Sequence, residues 1–180
     1  MHSGWAEAIP SLVGTVIGGA LTITGQRLTD RHREGAERQV AARQMARDDA
    51  ERDRQAVVAL HRQVSADVAE VRAAISATDE AVNAVRADML APLIHDVRAR
   101  SDRAAALIAL VPNEGVRHAA DNVYDYFGQW LSEEVDSLTN RTASPSVDEP
   151  LASPGKLATA VRDFLLELQV REKSAVEKAR

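Results

Sequence analysis

Apolar and polar positions alternate in three regimes along this chain. Residues 8–24 (AIPSLVGTVIGGALTIT) hold seventeen positions without a charge. A helix rises about 1.5 Å per residue, so about 20 residues cross a bilayer core of about 30 Å. The stretch therefore reads as a short membrane-spanning helix. Residues 26–54 are then polar on every side, with only Leu28, Val40 and Met45 as large apolar residues. They read as a charged helical stalk, about 43 Å long if helical throughout. From Val57 the apolar positions Val57, Leu60, Val64, Val68, Val71, Ile75, Thr78, Val82, Val85 and Met89 recur at steps of three and four. That is helical periodicity with a near-heptad seam, and the step from Val64 to Val68 reads as a stutter.

Breaks divide this body into helices. Ser76-Ala77-Thr78-Asp79 has capping-box spacing, and Pro92 disfavours helical geometry before it. A reversal near 77 and one near 91 are both compatible with the pattern. A stripe of Leu93, Val97, Ala104, Ile108 and Val111 precedes Pro112-Asn113-Glu114, a helix stop followed by an Asn cap and an acid. Val116, Ala120, Val123, Phe127, Trp130, Leu131 and Leu138 form the next face, and Glu134 falls on it, marking where the helix leaves the bundle. Residues 141–154 carry three prolines and read as a flexible linker. Ser153-Pro154 then serves as N-cap and first residue of a last helix over 155–180, with Leu157, Val161, Phe164, Leu165 and Leu168 on one face. No run alternates as a strand. The expected fold is all-α: an anchor (1–25), a stalk (26–55), an antiparallel bundle of three to four helices with its main part at 56–140, a linker, and a C-terminal helix.

The anchor's flanks set its orientation. No Lys or Arg precedes it, whereas Arg27, Arg31 and Arg33 follow. The positive-inside rule then places the N-terminus outside and the body in the cytoplasm, with Trp5 suited to the interface. A cleaved signal peptide would need a basic start, which MHSGWAE lacks. The three arginines act as a topology flank and can meet anionic lipid headgroups. Within the span, Ser11, Gly14, Gly18 and Thr22 share a small-residue face, the pattern by which membrane helices approach one another closely.

Composition removes several kinds of chemistry. The chain has 180 residues, no Cys, a net charge of −5 and 3% aromatic residues. Thiolate metal sites and disulfides are impossible, and the charge is of the wrong sign for a nucleic-acid binder. None of the five histidines lies in an H-E-x-x-H or Glu-x-x-His pattern. His118, Asp121 and Asp125 share a helix face, but an exposed trio of this kind reads as solvated rather than as a metal site. There is no phosphate-binding glycine loop and no spacing that selects a catalytic triad. No cofactor, metal or enzymatic activity is expected. Tyr124, Tyr126, Phe127 and Trp130 cluster; Phe127 and Trp130 lie on the apolar stripe, leaving Tyr126 as the candidate for partner docking.

The segments WAEAIPSLVGTVIGGALTITGQRLTDRHRE and DRAAALIALVPNEGVRHAADNV, joined by Ala/Arg-rich helix, resemble a group of actinobacterial single-pass membrane proteins. That resemblance implies an N-terminal anchor and a cytosolic helical bundle, and no particular activity. The layout is also similar to the ATP synthase b subunit, from which the hairpins and the break at 141–154 depart. The expected function is a membrane-tethered scaffold or adaptor that self-associates and presents its bundle to a cytosolic protein. The alternatives are a membrane-active small protein of the phage lysis or exclusion type, and a membrane-linked signalling module.

Overall fold

In a computed structural model, the backbone of residues 8–177 is described, with the side chains of 33–175 and 177. The described residues form four α-helices and no strand: α1 (Ala8–Ser76), α2 (Asn83–Leu110), α3 (Glu114–Asn140) and α4 (Asp148–Glu177). Residues 47–178 form one compact unit, and the chain up to Ala46 belongs to another.

In the first unit, side chains 33–46 of α1 are exposed on every face. Charge pairs one turn apart line it: Arg33 to Glu37 at 3.0 Å and Arg38 to Glu34 at 3.5 Å. Each such exposed pair contributes a few tenths of a kcal/mol. No helix among the described residues is long and apolar enough to cross a membrane. The span expected at residues 8–24 lies outside the described side chains.

In the second unit, α3 packs against both α2 and α4. Val57, Leu60, Val64, Val68 and Val71 of α1 join Leu90, Val97, Ala104 and Ile108 of α2 in one core. That core continues through Val116, Val123, Phe127, Trp130 and Leu131 of α3 and Leu157, Val161, Phe164 and Leu168 of α4. The core is built mostly from small and aliphatic side chains, as the low aromatic content requires, with the aromatics concentrated on α3.

The chain reverses between 77 and 82, not at Pro92. Ser76 to Asp79 do not open a helix; they close one. The Thr78 N–H reaches the Ile75 carbonyl at 2.9 Å, its hydroxyl donates to the same oxygen at 2.7 Å, and the Asp79 N–H reaches Ser76 O at 3.2 Å. These tight turns satisfy the last carbonyls of α1. They also reset the helical phase. Thr78 is buried, but Val82, Val85 and Met89, expected on the same seam, are exposed, and Ala87 and Leu90 face the core instead. Pro92 sits inside α2 on its exposed side. The Asp88 carbonyl that loses its partner there belongs to an exposed residue, within reach of water.

The stop at Val111-Pro112 and the Asn113 cap are present: the Asn113 side chain accepts the Val116 N–H at 2.9 Å. Helix α3 ends in a left-handed residue, Arg141 (φ 55°), and the N–H groups of Arg141 and Thr142 both reach Ser137 O.

The linker is shorter than the proline pattern suggests, because α4 starts at Asp148. Ser146 accepts the Asp148 N–H and donates to its carboxylate. Pro150 falls in the first turn, where a missing N–H leaves no helical bond unmade. Pro154 lies inside α4 rather than at its start. The Pro150 carbonyl would have accepted its N–H; the buried Ser153 hydroxyl donates to that oxygen instead, at 3.1 Å. Ser153 therefore repairs an interior helix bond and is not a cap.

Candidate functional site

Two polar clusters lie within this apolar bundle. The first is built on Asp67, which is 4% exposed on the core side of α1. Its carboxylate accepts from the Tyr124 hydroxyl at 2.7 Å, from Arg100 Nη1 at 3.0 Å and from Gln63 Nε2 at 3.2 Å. Arg100 also donates to Asp96 at 2.8 Å and to Glu70 at 2.6 Å. One guanidinium on α2 thus gathers three carboxylates, and a phenol on α3 completes the buried one. Burial, then the hydrogen bond to Asp67, pushes the Tyr124 hydroxyl well above the usual phenol range. The Asp96 and Glu70 carboxylates raise the Arg100 guanidinium further still. A buried carboxylate with three donors is satisfied rather than poised to react.

Sequence reasoning passed over Asp67, although a signal existed. Counting strict heptads from Val57, Leu60 and Val64 puts the next seam positions at 67 and 71. The apparent stutter at Val68 is a polar residue occupying a seam position.

The second cluster is Glu134, 3% exposed on α3. Arg86 of α2 reaches it at 3.5 Å and Asp79 at 3.4 Å, and Ser137 donates to the Glu134 carbonyl. The helix does not leave the bundle there; the charge is buried because it is paired. Arg86 Nε remains buried without an acceptor among the described residues.

Of the site residues singled out from the sequence, Arg33 and Tyr126 have described side chains. Trp5 lies outside the described residues, and Ser11, Gly14, Gly18, Thr22, Arg27 and Arg31 lie outside the described side chains. Arg33 is exposed and paired with Glu37. Tyr126 is half-buried, with the Lys156 ammonium of α4 5.7 Å from its ring centre. Lys156 is itself held by Glu149 at 2.6 Å. His118, Asp121 and Asp125 are all exposed. Partial burial and the Asp125 charge raise the Asp121 carboxyl. Among the described residues no group of three His, Asp or Glu side chains could hold a metal ion. Phe127 and Trp130 are buried, as the stripe implies.

An apolar groove of about 230 Å³ opens where the end of α1 meets α3 and the start of α4. Phe127, Trp130, Ile75, Val147, Pro150 and Leu151 line it, and Arg72 and Ser76 stand in its wall. The Trp130 Nε1–H is buried and donates to nothing among the described residues. Aromatic and aliphatic walls with a few polar groups are what small-molecule sites are made of. The arrangement is one for binding; no nucleophile and base are paired in it. Comparison with protein-family models, with curated proteins and with solved structures finds no match.

Proposed function

We propose that the protein is a membrane-tethered helical scaffold or adaptor. The uncharged stretch 8–24 anchors it, Arg27, Arg31 and Arg33 hold its C-terminal side at the cytoplasmic leaflet, and the bundle meets a cytosolic protein. The observation that carries this reading is the abrupt change of pattern at Gly25. Seventeen residues without a charge are followed by a helix whose side chains, from 33 to 49, are exposed on every face. A helix polar all round has no face to bury, and suits a spacer between two bodies. The four-helix unit supports a presenting role, because its buried charges are internally paired and leave its outer surface for contacts.

Extraction of membranes with alkaline carbonate tests the tether. The full-length chain should stay in the pellet, whereas replacing Val13 and Ile17 with Asp should release it. Release of the unaltered chain would remove the tether from the account. Self-association through the small-residue face has its own test. Replacing Gly14 and Gly18 with Ile keeps the span apolar but separates the backbones, so a membrane two-hybrid signal from residues 1–34 should fall. An unchanged signal would exclude that face.

A further inference from the structure

We propose that the groove between the end of α1, α3 and the first turn of α4 binds a small aliphatic carboxylate, with Arg72 taking the carboxylate and Phe127 and Trp130 taking the chain. Three observations converge on that ligand class. The walls are apolar and aromatic, and the volume of about 230 Å³ lies just below the usual range for small-molecule sites, about 300–1,000 Å³. That selects a short chain over a drug-sized or lipid-sized molecule.

The cation in the wall is uncommitted. Arg72 has one hydrogen bond, a 3.3 Å contact from Nη2 to the Leu151 carbonyl, and no carboxylate partner among the described residues. Its planar fork is suited to a carboxylate. The acids nearest in sequence to the groove wall are not paired with it: Glu149 binds Lys156 at 2.6 Å, and Asp148 accepts from Ser146 at 2.8 Å. Finally, the groove is unfinished core. Val147 and Leu151 are exposed beside buried Phe127 and Trp130, so an aliphatic chain laid there removes apolar surface from water on both sides.

The test uses the full-length chain in lipid nanodiscs, with Trp5→Phe so that Trp130 is the only indole. Hexanoate is titrated against its neutral isostere hexanamide, and Trp130 fluorescence is followed. Hexanoate should give a saturable change, and hexanamide should need at least about tenfold more, the ratio expected when one charge-assisted hydrogen bond is lost. Arg72→Gln should bring hexanoate to the level of hexanamide, and Arg72→Lys should recover part of the difference. Unchanged circular dichroism and thermal midpoint in both variants separate this from unfolding. The absence of a saturable hexanoate signal would overturn the proposal. So would equal responses to acid and amide, or an Arg72→Gln variant that binds hexanoate as before.

Discussion

At the scale of single residues, the informative positions are those that break the apolar pattern. Asp67 occupies a seam position and is kept there by Tyr124, Arg100 and Gln63. A hydrogen bond to a buried charge contributes about 1.5–3 kcal/mol, so Tyr124→Phe should lower stability by that order at neutral pH, measured by denaturant unfolding. Its effect should also depend on pH. The folded phenol is raised above its unfolded value of 10.0, so the folded state holds its proton where the unfolded state releases it. That contribution is complete below about pH 10 and declines as the pH rises toward the folded value. Thermal midpoints between pH 9 and 11.5 should therefore fall more steeply for the unaltered chain than for Tyr124→Phe; parallel curves would contradict the assignment. Trp130 separates volume from polarity. Trp130→Ala should cost about 3–5 kcal/mol as a core deletion. Trp130→Phe should cost much less than that, because it also removes the buried Nε1–H, which has no acceptor among the described residues. A midpoint unchanged in Trp130→Ala would mean the ring is not a core element.

At the scale of helices, the ends are decided by hydrogen bonds that sequence spacing does not reveal. The Asn113 cap was legible because Pro112 and Glu114 flank it with independent signals of the same boundary. Ser153-Pro154 carries an equally plausible start signal and is a helix interior, since the Ser153 hydroxyl replaces the proline's missing donor at Pro150 O. Double-mutant analysis should expose that repair. Ser153→Ala should destabilise by about 1–3 kcal/mol, the cost of an orphaned buried acceptor, and by much less in a Pro154→Ala background, where the backbone N–H is restored. Equal costs in both backgrounds would contradict it. Stripes within one helix were read correctly from Val57 to Val71 and across α3 and α4. The stripe failed from Val82 onward because residues 77–82 change the phase between α1 and α2, and periodicity carried through a turn loses its reference. The apolar groove was not legible at all. It joins Arg72 to Leu151, residues 79 apart, and no local pattern brings them together.

At the scale of the whole molecule, an all-α body was legible because every apolar stripe has helical spacing and none alternates. The scaffold reading rests on a contrast the chain draws within its first fifty residues, between an uncharged stretch and a helix with charges on every face. It assigns the anchor and the bundle to different solvents, and the one-sided arginines assign a direction. Net charge does not enter that assignment, since topology follows Lys and Arg near the span rather than the chain's overall −5. Reporter fusions measure the direction most directly. An alkaline phosphatase and a fluorescent protein are fused in turn after Gln55 and after Arg180 of the full-length chain. The account predicts fluorescence and no phosphatase activity at both positions. Phosphatase activity at both would reverse the topology and place the bundle, and any partner it meets, outside the cell.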